Sequence, residues 1–107
     1  MMTISTTVMN TDPGAALLGA ARSGDPSKFI DELTAYRNGV RNPETGSQLV
    51  GWVSTPSNLT QLHNALAEHM GVPHRAMAIR RLNVTRGQKV MMLLQAMEIA
   101  VRRTHKL

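Results

Sequence analysis

Residues 59–83 read LTQLHNALAEHMGVPHRAMAIRRLN, a stretch with helical periodicity broken once by Gly71-Val72-Pro73. Leu59, Leu62, Leu66 and Met70 recur at steps of three and four, which draws one apolar stripe down a helix. Thr55-Pro56 stands just before it. A hydroxyl at the cap position satisfies free amides, and proline is tolerated at the first helical position. Gly71 follows the last stripe residue and is a stop signal. The spacing therefore predicts a helix over Pro56–Met70. After the Gly71-Val72-Pro73 break, a short basic helix is predicted through Leu82.

Working outward, Asp12-Pro13 and Asp25-Pro26 repeat the pairing of a capping residue with proline. They predict a small Ala-rich helix from Pro13 to Arg22, and a second helix from Pro26 to Asn38 that stops at Gly39. Phe29, Ile30, Leu33 and Tyr36 share one face of the second helix. Between Val40 and Ser54, Asn42-Pro43-Glu44-Thr45-Gly46 is a turn signal. Leu49, Val50, Trp52 and Val53 behind it have strand character, so a short β-hairpin or an ordered loop is expected there. Thr85-Arg86-Gly87-Gln88 fits a capping box and opens a last helix over Arg86–Arg103. Its stripe is Val90, Leu93, Leu94, Met97, Ala100 and Val101. The expectation is a mainly α, small four- or five-helix domain over 13–107, with at most one hairpin, behind a flexible lead at 1–12.

Charge is divided unevenly. From Val72 onward there are eight basic residues against one acid, Glu98, whereas the first 71 residues carry four basic residues against six acids. Such a field points to a polyanionic or acidic partner rather than to a fold. Hydrophobic content is 42% but aromatic content only 3%, and eight methionines do part of the filling. Methionine packs adaptably, which suits a thin helical core. There is no cysteine, so disulfides, thiolate catalysis and Cys-based zinc sites are excluded. No apolar run approaches the ~20 residues of a membrane span, and Met1–Asp12 lacks a basic start and an apolar stretch. A cytoplasmic protein with no membrane partner is expected.

The 59–82 stretch resembles helix-turn-helix DNA-binding modules over about twenty residues. Ala67 sits four residues before Gly71, where a small residue permits close helix crossing. Gly71-Val72 matches the turn, Leu66 and Met70 the buried positions of the supporting helix, and Met77 the first buried position of the second. Arg80 stands where that family usually has an apolar residue, and Pro73 replaces the usual small polar cap. The resemblance implies double-stranded DNA as partner. The implied contacts are His74, Arg75, Arg80 and Arg81, with Arg86 and Lys89 adding phosphate grip.

Two other readings stand beside this one. The last helix is apolar over more of its circumference than one neighbour covers. Met91, Met92 and Ile99 widen its stripe, and they are expected to meet another subunit in a homodimer or larger assembly. That feature, with the Ser/Thr-rich lead, also suits a helical assembly or adaptor subunit of a phage particle or secretion apparatus. A small inhibitor docking on an acidic protein surface fits the charge equally. The four histidines show no ligand spacing, no catalytic motif is present, and neither metal, cofactor nor enzymatic activity is expected.

Overall fold

Asp12 forms the turn that leads into the first helix. Its carboxylate accepts the Gly14 amide at 2.9 Å and its carbonyl accepts the Ala15 amide at 3.1 Å. The computed structural model describes residues 12–80 and 83–107. The expected lead at 1–12 therefore lies outside the described residues except for Asp12, as do Arg81 and Leu82. The first helix, α1, is Ala15–Ser23, beginning two residues later than Pro13 because Asp12 forms a turn ahead of it. Leu17, Leu18, Ala20 and Ala21 are its buried residues.

Helix α2 is Pro26–Arg41, capped by the Asp25 carboxylate, which accepts from the Ser27 and Lys28 amides. It buries Phe29, Ile30, Leu33 and Tyr36, as the stripe requires. It runs through Gly39 to Arg41, three residues past the expected end. The Gly39 carbonyl is held there by the Asn42 amide and the Thr45 hydroxyl.

The hairpin expected over Val40–Ser54 is absent: that region ends in a third helix, α3, at Gly46–Ser54. Asn42 makes the difference. Its side chain accepts the Glu44 amide at 2.8 Å and its carbonyl accepts the Gly46 amide at 2.7 Å. The turn thus closes in the helical sense. Leu49, Trp52 and Val53 also stand at helical spacing, so a run of this length satisfies either period. Buried Trp52 and Val53 are the result, with the Tyr36 and Trp52 rings 6.3 Å apart and the Tyr36 hydroxyl donating to the Leu49 carbonyl.

Helix α4 is Pro56–Met70, as the sequence indicates. Gly71 ends it at φ 70°, a conformation L side chains rarely adopt. The Gly71 amide donates to the Ala67 carbonyl and the Val72 amide to the Leu66 carbonyl, each at 3.2 Å. Among the described residues, the expected second helix of the 59–82 element is not formed. Only His74–Met77 makes a single 3-10 turn, and Ala78 is extended at φ −69°, ψ 141°. The reason is in the pattern: Met77 is fully buried, but one turn later stand Arg80 and Arg81, which give a helix no second anchor.

Helix α5 is Arg86–His105, two residues longer than expected, and opens with the capping box in full. Gln88 donates its amide to the Thr85 hydroxyl at 3.1 Å, and Thr85 donates its amide to the Gln88 side chain at 2.9 Å. The six stripe residues are all buried. Helix α1 packs between α2 and α4, while α3 touches α2, α4 and α5. The 3-10 turn packs on both α4 and α5. The architecture is all-α, with no strand among the described residues.

Candidate docking surface

This frame fixes where each candidate residue lies. His74 and Arg75 sit exposed on the 3-10 turn, and Arg80 is exposed just beyond it. Arg81 lies outside the described residues. Arg86 and Lys89 project from the first turn of α5. They rim a cavity of about 350 Å³ floored by Val53, Leu59, Val90 and Leu93. Arg86 Nε also donates to the Ser54 hydroxyl at 3.4 Å. Of the nucleic-acid contacts implied by sequence, Arg86 and Lys89 stand on the last helix as expected, while His74, Arg75 and Arg80 lie on and after a 3-10 turn instead of a recognition helix.

The three residues expected at a subunit interface are also split. Met91 is half-buried and packs against the core. Met92 is half-buried beside it, in a shallow apolar groove shared with Val40, Arg41 and Val84. Ile99, 41% exposed, lies one heptad further along the same face as Met92. Sequence reasoning missed Val40, Arg41 and Val84. Val84 directly precedes the Thr85 cap, and Val40 and Arg41 enter only because α2 outlasts Gly39.

The basic residues differ in how they are balanced. Glu98, the one acid of α5, accepts from Arg102 Nε at 2.9 Å and from Arg37 on α2. These bonds, the Arg102 bond foremost, hold its carboxyl below the usual carboxylate range. Among the described residues these are the ion pairs formed, which leaves Arg75, Arg80, Arg86, Lys89, Arg103 and Lys106 exposed and unpaired. No acid occurs in residues 45–67 or 69–97, so Glu98 is the one acid in the chain segment from Arg75 to Lys106.

The histidines make no metal cluster among the described residues. His63 on α4 meets His74 edge-on, with ring centroids 5.9 Å apart. Its Nε2 is buried without a partner. Burial, with His74 alongside, pushes its pKa below the ordinary histidine value. His105 Nε2 instead bonds the Met70 carbonyl at 2.8 Å, tying the end of α5 to the end of α4. No helix of the described residues is long and apolar enough to cross a membrane. The arrangement offers positive charge beside apolar grooves, a chemistry of binding. No protein-family model matches the chain, and no curated protein or solved structure matches it either.

Proposed function

We propose that this domain is a small helical docking module for an acidic protein partner, an adaptor or inhibitor rather than a reader of base sequence. The observation that carries the reading is the coupling of unpaired cations to apolar grooves: Arg86 and Lys89 rim one, and Arg41 lines the other. Phosphate backbones require charge alone, whereas protein interfaces combine charge with apolar anchors. Base readout is further disfavoured by the single turn at His74–Met77, which is too short to lie along a major groove.

Duplex DNA is the second reading. It is favoured by Arg75, exposed on the 3-10 turn after Gly71, and by Arg80, exposed just beyond that turn. On this reading the contacts are to phosphate, and affinity is independent of sequence.

The charge component is tested by titrating the full chain with poly-glutamate and with poly-lysine at low and high salt. Poly-glutamate binding that weakens steeply as salt screens the charges is the expected result. Absence of poly-glutamate binding at low salt contradicts the proposal.

A further inference from the structure

The core-facing side of α5 is filled by Val90, Leu93, Leu94, Met97, Ala100 and Val101. The opposite face carries Gln88, Met92, Gln95, Ile99, Arg102 and Lys106, at alternating steps of four and three. That alternation is how one helix presents a seam to another. The seam's apolar members are Ile99, 41% exposed, and half-buried Met92, with exposed Gln95 between them. It is broadened on one side by the groove of Val40, Val84 and Met91. Among the described residues three large apolar side chains are exposed: Val84, Ile99 and Leu107. Val84 lines the groove at the start of α5, and Ile99 stands on the same outer face of that helix further along it.

Charge decides what covers it. Arg41 lines the groove at one end, and Arg102, Arg103 and Lys106 stand at the other. Glu98 is already engaged by Arg37 and Arg102. A second copy across a two-fold axis would set Met92 against Ile99 of the other copy. It would also press the Arg102–Lys106 end of each helix against the Arg86–Lys89 end of the other, and neither segment contains an acid. Like charges so placed oppose association.

We infer that the outer face of α5, from Val84 to Lys106, receives an acidic amphipathic helix of a partner protein. Apolar residues of that helix meet Met92 and Ile99, and its carboxylates meet Arg41, Arg103 and Lys106. This inference rests on the docking reading above and names the partner element.

The test titrates the full chain, isotopically labelled for amide NMR, with a synthetic three-heptad peptide. The peptide carries Leu at its seam and Glu on its flanks. Two control peptides replace Glu with Lys, or Leu with Ser. Shifts confined to Val40, Arg41 and residues 84–106 are expected with the acidic amphipathic peptide only. Ile99→Gln, at a side chain already exposed, should fold normally and weaken binding about tenfold, or about 1.4 kcal/mol. Shifts centred on Arg75 and Arg80, with Ile99→Gln unaffected, would overturn this site while leaving the acidic-partner reading intact. Equal binding of the Lys peptide or the Ser peptide overturns the inference. So does a wild-type dimer that Ile99→Gln converts to monomer. No binding of any acidic peptide, with duplex DNA bound instead, removes both the site and the reading it rests on.

Discussion

Gly14 lies against the face of Trp52, so closely that a β-carbon at position 14 would come within 2.1 Å of the indole Cε2. This contact brings the entry to α1 onto α3, the helix that replaces the expected hairpin. Gly14→Ala must displace the ring or the chain, and overpacking of this kind costs ~1–3 kcal/mol. Gly19, inside α1 with nothing near its would-be β-carbon, is the control: Gly19→Ala should stabilise by ~0.5–1 kcal/mol. Urea unfolding followed by Trp52 fluorescence reads both. Equal effects of the two substitutions would mean that the Gly14–Trp52 approach is not a feature of the fold.

Gly71 supplies the second structural prediction. Its site is open, so a side chain there meets no atom, and the penalty is that of φ 70° alone. Gly71→Ala should lower stability by ~1 kcal/mol through the left-handed backbone. A neutral result in thermal or chemical unfolding would show that α4 does not end in that conformation.

Glu98 gives a pH signature. Its carboxyl titrates lower in the folded chain than in the unfolded one, because Arg102 and Arg37 hold the charged form. Its contribution is present above the unfolded carboxylate value and lost as pH falls through the folded one. Glu98→Gln should therefore reduce stability at neutral pH, by about 1 kcal/mol for a partly exposed pair, and flatten the acid limb of the stability profile. An unchanged acid limb in that variant would remove the ion pair from the account.

His63 acts through the same linkage at higher pH. Its folded value is lowered, so the unfolded chain binds the proton first as pH falls. Stability from a neutral His63 is complete above the ordinary histidine value and declines as pH drops below it. His63→Gln should abolish that decline. Denaturant midpoints between neutral and mildly acidic pH measure it, and an identical slope in the variant would refute the assignment.

Much of the framework was legible because it rests on local chemistry. Thr85 with Gln88, Asp25 with Pro26, and Gly71 after a four-residue stripe each name a helix end from neighbours in sequence. The segment around Trp52 was not legible in this way. Leu49 to Val53 satisfies strand and helix patterns alike, and the decision falls to the Asn42 turn and to packing on Tyr36. The stretch after Pro73 misled for a different reason: its basic residues look helical, but among its described residues Met77 is the one that is buried. On the candidate surface, Met92 and Ile99 were visible as surplus apolar residues of α5. Val40 and Arg41 were hidden, because their place depends on α2 continuing through a glycine.

The central claim is that the basic third docks an acidic protein segment. It is tested most directly by competition: a labelled acidic amphipathic peptide bound to the full chain, challenged with rising concentrations of mixed-sequence duplex DNA at moderate salt. The account predicts that the peptide stays bound through an excess of duplex, because its apolar contacts at Met92 and Ile99 have no counterpart on a phosphate backbone. Duplex that binds tightly and releases the peptide at equimolar concentration would contradict it.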